Sequence, residues 1–109
     1  GITLSGGQKQ RLSIARALIR KPKVMLFDDC LSAVDTETED AILSSLGALK
    51  DITLLIVSHR VSSIRNAHRI INIDEGKKTE EGTHKELLQL NGAYAELYNK
   101  QLAEEDTTI

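Results

Sequence analysis

The chain has 109 residues, enough for one small domain, and its 40% hydrophobic and 28% charged residues are ordinary for a globular protein. A net charge of −2 gives no support for nucleic-acid binding, and a single cysteine, Cys30, excludes an internal disulfide and suits a reducing compartment. No apolar run is long enough to span a bilayer. The chain opens at Gly1 without Met, directly in a glycine-containing loop, which indicates a piece of a longer protein.

The first predicted element is a helix of about 16 residues that begins at Ser5. Ser5 can cap this helix, and Gly6 and Gly7 let backbone N–H groups approach an anion closely. The apolar residues expected to share one face of the helix are Leu12, Ala15, Leu18 and Ile19. The helix N-terminus could therefore bind a phosphate, although an ordinary N-cap followed by flexible glycines remains the alternative.

A short apolar run then predicts the central strand. Val24–Phe27 shows no polar alternation, which is typical of a strand buried on both faces of a parallel sheet. Asp28 and Asp29 follow at its carboxyl end, where ligands bind in open α/β sheets. An apolar run followed by Asp is the Walker B pattern, in which the carboxylate holds Mg²⁺ on a nucleotide. A core strand that ends in a polar turn is the alternative.

A second helix is predicted over residues 36–50 and a second buried strand over residues 53–58. Thr36 and Glu39 have the spacing of a capping box, and the acids of this first helical turn are expected on a solvated face. His59 follows the second strand, at the same sheet edge as the two aspartates. A lone histidine after a strand is usually structural, so its function depends on its neighbours.

The remaining chain is predicted to form short elements separated by turns. They are a helix over 61–67, strands over 69–74 and 77–81, a helix after Gly82-Thr83-His84 that ends at Asn91-Gly92, and a helix over 93–103. His68 and His84 have no partners at metal-binding spacing, and we expect both to be surface residues.

Four motifs, in order and at matching spacing, resemble those of ATP-binding cassette (ABC) ATPases. LSGGQ at Leu4–Gln8 matches the signature motif, and residues 10–28 resemble the family's link from the signature to Walker B. SAVD at Ser32–Asp35 resembles the D-loop, and SHR at Ser58–Arg60 resembles the segment with the switch histidine. The resemblance covers nearly the whole chain and is strongest to the nucleotide-binding domains of ABC exporters.

The resemblance implies an α/β fold with a P-loop NTPase (RecA-like) core, in which helices flank a parallel sheet. Residues 1–109 would form the C-terminal part of this ATPase domain. The Walker A half is missing, since GxxxxGK followed by Ser or Thr does not occur. In the family's fold, the Walker A strand lies between the strand before His59 and the strand at 69–74. We therefore expect unpaired strand surfaces there and poor ATP binding by this chain alone.

The resemblance also implies residue roles, with ATP and Mg²⁺ as cofactors. Asp28 would hold Mg²⁺ through water, Asp29 would occupy the position of the catalytic carboxylate, and His59 would contact the γ-phosphate. The residues that would bind the nucleotide of a partner domain are Ser5, Gly6, Gly7 and Gln8. Asp35 would tie the two sites together across a head-to-tail dimer. The implied function is ATP hydrolysis that drives export, at the cytoplasmic face of a membrane and together with transmembrane domains.

Asp29 departs from the family pattern, which usually has Glu directly after the Walker B Asp. A side chain shorter by one methylene leaves the carboxylate about 1.5 Å short, while proton acceptance needs heavy atoms within roughly 2.6–3.2 Å. An intact signature beside a weakened Walker B favours a heterodimer in which this chain supplies the degenerate site. A homodimer in which Asp29 works more slowly is the alternative.

Two functions of other classes remain open. Non-transport ABC-type ATPases, such as those of chromosome maintenance and DNA repair, also carry a signature and a Walker B, but they usually insert coiled coils, and heptads are absent here. A regulatory module that binds nucleotide without turnover is compatible with Asp29. The transported substrate is not encoded, because specificity lies in transmembrane segments.

Overall fold

A computed structural model describes residues 6–29, 35–49 and 51–106 of the chain. The chain divides into two compact units, Gly1–His59 and Arg60–Ile109. The described strands form two separate two-stranded sheets, one in each unit. Each unit also has its own cluster of buried apolar side chains, so each is built around its own sheet.

The first unit alternates helix and strand. Its described elements are α1 (Gly6–Ile19), β1 (Val24–Asp28), α2 (Thr36–Gly47) and β2 (Thr53–Val57). β1 and β2 are parallel and in continuous register from the pair Val24–Thr53 to the pair Asp28–Val57. A parallel pair needs a crossover connection, which here contains α2. The predicted α/β class with a parallel sheet is confirmed.

The core of the first unit lies on one face of this sheet. Met25, Phe27 and Leu46 are buried there. The half-buried apolar residues that pack against them are Ile14, Ala17, Leu18, Ile42, Leu43, Ile52, Leu54 and Ile56, which come from both helices and from the second strand. Complete burial of a side chain such as that of Phe27 stabilises the fold by roughly 1.5–3 kcal/mol.

The prediction that β1 is buried on both faces is wrong in this chain. Val24 and Leu26 are 57% and 63% exposed, in alternation with the buried Met25 and Phe27. Paired residues of parallel strands face the same side, so the exposed Leu55 of β2 lies on the same face as Leu26. The reason is that α1 and α2 contribute to the cluster on the Met25 side only.

The apolar face predicted for α1 is confirmed at Leu18 but wrong at its other three positions, which are exposed. Ile14, Ala17 and Leu18 pack against the core, whereas Leu12 is exposed and Ile19 is 79% exposed. α1 carries apolar side chains around most of its circumference, so its periodicity does not identify the face that meets the sheet. Packing against β1 determines that the buried face of α1 is the one with residues 14, 17 and 18.

The start of α2 differs from the predicted capping box. Asp35 is the N-cap, and its Oδ2 accepts a hydrogen bond from the Thr38 N–H at 3.4 Å. Thr36 is the first helical residue rather than the cap. Glu39, expected on a solvated face, is 0% exposed. Its position in the first turn lets the helix dipole favour this buried carboxylate.

The second unit consists of a hairpin and three helices. Its elements are α3 (Val61–Ile64), β3 (Ile70–Asp74), β4 (Lys77–Gly82), α4 (His84–Leu90) and α5 (Ala93–Asp106). β3 and β4 are antiparallel, as an edge hairpin requires, with a register shift between Asn72 and Ile73. Glu75 and Gly76 form the predicted two-residue turn with φ of 49° and 75°, values typical of a type I′ hairpin.

The helices of the second unit enclose a core of Val61, Ile70, Leu87 and Tyr94. Thr83 and Glu86 form a complete capping box at the start of α4, and Asn91 ends that helix in the left-handed conformation with φ of 52°. α5 continues to Asp106, three residues beyond its predicted end at Ala103. His68 is exposed, as predicted, but the surface prediction for His84 is wrong, because its ring is half-buried.

A carboxylate from the hairpin fixes the start of α5. Glu80 Oε1 accepts a hydrogen bond from the Tyr94 N–H at 2.9 Å, which satisfies one of the unpaired donors in the first turn of the helix. Gly92 makes this approach possible, because a Cβ atom added there would lie 2.0 Å from Glu80 Oε2. A side chain at position 92 would therefore push the carboxylate away from the helix.

We expect Glu80→Ala and Gly92→Ala each to lower the free energy of unfolding of the second unit by about 1 kcal/mol, the usual cost of a lost N-cap. Because both changes remove one contact, Gly92→Ala should cost at most half as much when Glu80 is already Ala. Urea unfolding followed by tyrosine fluorescence measures this unit, since both tyrosines of the chain, Tyr94 and Tyr98, lie in α5.

Gly47→Ala is the control for this cycle. A Cβ atom there meets nothing within 4 Å, so this change should leave the fluorescence midpoint unaltered. Fully additive losses for Glu80→Ala and Gly92→Ala would show that Gly92 does not act through Glu80.

Candidate functional site

The carboxyl ends of β1 and β2 form the edge at which the predicted catalytic residues lie. Asp28 ends β1 and is in register with Val57, the last residue of β2. The Asp29 N–H donates to the Val57 carbonyl at 2.8 Å, which extends the pairing by one residue. His59 follows two residues after Val57. The fold therefore places Asp28, Asp29 and His59 at one sheet edge, as the sequence predicted.

The side chains of Asp28, Asp29 and His59 are all exposed at this edge. Mg²⁺ retains several waters and commonly binds one or two protein carboxylates together with phosphate oxygens. Within residues 6–29, 35–49 and 51–106, no group of three or more His, Cys, Asp or Glu side chains could hold a metal ion. Asp28 and Asp29 are adjacent carboxylates at this edge, the kind of ligand that Mg²⁺ takes together with phosphate oxygens.

The backbone at Asp29 has a conformation that the sequence analysis missed. Its φ is +56°, in the left-handed region, where Asp and Asn are several-fold enriched among residues other than glycine. The sequence predicted Asp29 at the sheet edge, in the position of a glutamate, and gave no expectation about its backbone conformation. The sequence did contain a signal for this backbone conformation: an Asp directly follows a predicted strand, and Asp tolerates the left-handed conformation that ends β1.

Asp35 has a local structural role in this chain. A hydrogen bond from the Thr38 side chain, aided by the Thr38 N–H and the positive charge of Arg11, holds the pKa of the Asp35 carboxyl below its ordinary value of 3.8. The carboxylate is therefore ionised at neutral pH, and it caps α2. Its side chain is exposed, so the capping geometry leaves it accessible to other groups.

The signature segment is described from Gly6 onward, and Gly6 is the first residue of the 14-residue helix α1. Gly6, Gly7 and Gln8 therefore contribute the N–H groups of the first helical turn, at the positive end of the helix dipole. Ser5, the predicted cap, lies outside the described residues, and so do Ser32–Val34 of the predicted D-loop.

A groove of about 440 Å³ lies between α1 and β1, and none of the residues predicted for the site lines it. Its lining residues are Lys9, Gln10, Ser13, Ile14, Ala17, Pro22, Val24, Met25, Leu26 and Phe27. Gln10 Oε1 is buried and has no hydrogen-bond partner among the described residues. β1 pairs with β2 alone in the described sheet, so one edge of β1 also has no strand partner. The groove therefore has an apolar lining and a side-chain acceptor, Gln10 Oε1, that has no hydrogen-bond partner among the described residues. The neighbouring strand β1 also has backbone groups at one edge that pair with no described strand.

A family model described as "ABC transporter" matches residues 1–32. The chain is 52% identical over 104 residues to an ATP-dependent lipid A-core flippase of Haemophilus influenzae (strain 86-028NP), which covers 94% of this chain and 18% of that protein. It is 50% identical over 102 residues to a mitochondrial potassium channel ATP-binding subunit of Pongo abelii, covering 93% of this chain and 14% of that protein. The chain thus spans less than a fifth of these relatives.

A solved structure has the same fold. It is described as a bacterial Atm1-family ABC exporter with ATP bound, and it matches with a TM-score of 0.85 and 43% identity over 90% of this chain and 18% of that chain. None of the helices in the described part of the chain has the length and apolarity that a membrane crossing requires.

We expect Asp29→Val to destabilise the first unit by roughly 1–2 kcal/mol, because a β-branched residue is strongly disfavoured at positive φ. The same substitution one residue earlier, Asp28→Val, is the matched control, since position 28 has strand geometry that valine favours. Urea unfolding followed by far-ultraviolet circular dichroism compares the two variants. Equal midpoints would show that the left-handed turn at position 29 places no demand on the side chain.

Proposed function

Because this chain belongs to the ABC transporter family, as the C-terminal portion of an exporter-type nucleotide-binding domain, we propose that the whole protein hydrolyses ATP to drive export of a substrate across a membrane. The observation that supports this proposal is the position of Asp28 and His59, each at or just after the carboxyl end of one strand of the parallel β1–β2 pair. Ligands bind at this edge in open α/β sheets, and a carboxylate and an imidazole there suit Mg²⁺ and a phosphate.

The residues at the edge would divide the work of hydrolysis. Asp28 would hold Mg²⁺ through water, and the ion when bound supplies positive charge to the β- and γ-phosphates. His59 would donate a hydrogen bond to the γ-phosphate, where a positioned donor typically contributes on the order of 10²–10³ in rate. Asp29 would orient the attacking water, from a carboxylate one methylene shorter than the family's glutamate.

The signature helix would act on a different nucleotide. Ser5, Gly6, Gly7 and Gln8 would bind the triphosphate held by a partner domain, since N–H groups at a helix N-terminus are suited to anions. Asp35 would contact the partner across this head-to-tail dimer from its position at the start of α2. ATP and Mg²⁺ are thus the cofactors, and a second nucleotide-binding domain is the partner.

The rest of the protein would complete the surfaces that this chain leaves open. Further chain would pack at three places: the edge of β1 that has no strand partner in the described sheet, Gln10 Oε1, which has no partner among the described residues, and the sheet face that exposes Val24 and Leu26. The missing Walker A half of the domain would supply the phosphate loop. Transmembrane domains would carry the substrate, and this portion would lie at the cytoplasmic face of the membrane.

We further propose that the dimer is a heterodimer with two nucleotide sites that hydrolyse ATP at different rates. The Walker B residues of this chain would form the slow site, and its signature motif would complete the fast site of the partner domain. Asp29 supports this arrangement, because its carboxylate falls short of the usual catalytic position, while LSGGQ is intact. Asp29 also supports a second candidate function, a regulatory cassette that binds ATP without turnover. The two candidates differ in whether any site of the assembled protein hydrolyses ATP.

The 109-residue chain alone should show no measurable ATP hydrolysis, because it has no loop to enclose the phosphates. Phosphate release in the presence of Mg²⁺ tests this, with Asp28→Asn as a control that identifies contaminating activity. Robust Mg²⁺-dependent turnover that Asp28→Asn abolishes would contradict the expectation.

In the full-length protein with its partner, a heterodimer predicts a different effect for each of three changes. Gly6→Asp should nearly abolish turnover, because a negative side chain would meet the γ-phosphate of the fast site. Asp29→Glu should raise turnover modestly, at the slow site only, and His59→Ala should cause a small loss there. Gly47→Asp, in a glycine position with open space around it, is the matched control for the Gly6 change.

The stoichiometry of retained nucleotide separates the alternatives. One long-lived ATP per dimer during turnover is expected for the heterodimer, because the slow site holds its ATP while the fast site cycles. Rapid exchange at both sites, with a strong gain from Asp29→Glu and near-complete loss from His59→Ala, would support a homodimer instead. Two retained ATP molecules and no turnover would support the regulatory cassette.

A further inference from the structure

A half-buried histidine joins the last two helices of the second unit. His84 is the first residue of α4, and its Nδ1 lies 2.7 Å from the hydroxyl oxygen of Tyr94 on α5. Its ring packs edge-on against Tyr94, with centroids 5.6 Å apart, and against Tyr98, with centroids 4.9 Å apart. We call this contact of His84, Tyr94 and Tyr98 the α4–α5 corner.

The corner favours a neutral imidazole. Burial lowers the pKa of His84 below its ordinary value of 6.5, and the nearby positive charge of Arg65 lowers it further. Burial raises the pKa of Tyr94 to about 12, so its hydroxyl keeps its proton at neutral pH. A protonated hydroxyl can donate to an unprotonated Nδ1, and we assign this direction to the His84–Tyr94 contact, with the ring proton on Nε2.

The groups around His84 offer little compensation for a positive charge. Tyr94 and Tyr98 face it from α5, and Arg65 faces it from the segment after α3. Two carboxylates of the neighbouring elements are already engaged with backbone donors: Glu80 of β4 accepts from the Tyr94 N–H, and Glu86 of α4 accepts from the Thr83 N–H. The N-terminus of α4 adds the positive end of its helix dipole.

Protonation would also reverse the polarity of the one hydrogen bond that joins the two side chains. A proton on Nδ1 makes this atom a donor, so the Tyr94 hydroxyl would have to accept and turn its own proton elsewhere. Tyr94 is only 2% exposed, and it packs with Leu87 and Val61 in the core of this unit. A rearrangement at this position therefore affects how α5 is held.

We propose that protonation of His84 weakens the packing of α5 against α4. The stability of the α4–α5 corner would then depend on pH. The sign follows from linkage, since the folded state favours the neutral ring more than the unfolded chain does. The stability contributed by the corner is complete above pH 6.5 and is lost as the pH falls through the lower pKa of the folded state.

Hydrogen exchange of the 109-residue chain tests this proposal. Between pH 7.5 and 5.0, after correction for intrinsic exchange rates, protection of α5 amides should fall by about three- to tenfold. Protection in β1 and β2 should change much less, which provides an internal reference. His84→Gln should remove most of the pH dependence in α5, while His68→Gln, a change at an exposed histidine, should retain all of it.

A second variant keeps the test decisive if His84→Gln does not fold. Tyr94→Phe keeps the ring and removes the hydroxyl that donates to neutral His84, so the midpoint of the protection loss should move to higher pH. Equal pH dependence of α5 protection in the original chain and His84→Gln would overturn the proposal. An unchanged midpoint in Tyr94→Phe would overturn it as well.

Discussion

The parallel pairing of β1 with β2 is the constraint on which the candidate site depends. Its register places Asp28 opposite Val57, and the bond from the Asp29 N–H to the Val57 carbonyl continues the pairing beyond the last strand residues. His59 is brought to the same edge because it follows β2. A slip by one residue would turn every side chain of a strand to the other face and separate these groups. The pairing is stabilised in turn by burial of Met25 and Phe27 beneath α1 and α2.

Two residues of the proposed nucleotide site, Asp35 and Asp29, also have local structural roles in this chain. Asp35 caps α2, and Asp29 occupies a left-handed turn at the end of β1. An Asp at either position therefore has a structural explanation independent of catalysis. This overlap matters for Asp29, because the same short side chain that suits its backbone also holds its carboxylate away from the position that a glutamate would reach.

The fold also shows which apolar surfaces of the first unit are exposed in this chain and could be covered by further protein. One face of the β1–β2 sheet is buried and the other exposes Val24, Leu26 and Leu55. Residues of α1 and β1 line a groove, and Gln10 Oε1 there has no hydrogen-bond partner among the described residues. At roughly 25 cal/mol per Å² of apolar surface, covering this face would add considerably to stability. The second unit instead buries Leu87, Val61 and Tyr94 in its own core. Its proposed pH response arises from the contact of His84 with Tyr94, and both residues belong to this unit.

The sequence by itself determined the order of helices and strands, the two-residue turn at Glu75–Gly76 and the sheet edge that carries Asp28, Asp29 and His59. Local propensity and the direction of the strands suffice for these features, because both act over a few residues. Only the tertiary structure decided which face of α1 is buried, that Asp35 rather than Thr36 caps α2, and that Glu39 is buried and His84 half-buried. Those outcomes depend on which neighbouring surface each side chain meets, and a periodic pattern with apolar residues on several faces does not specify that surface.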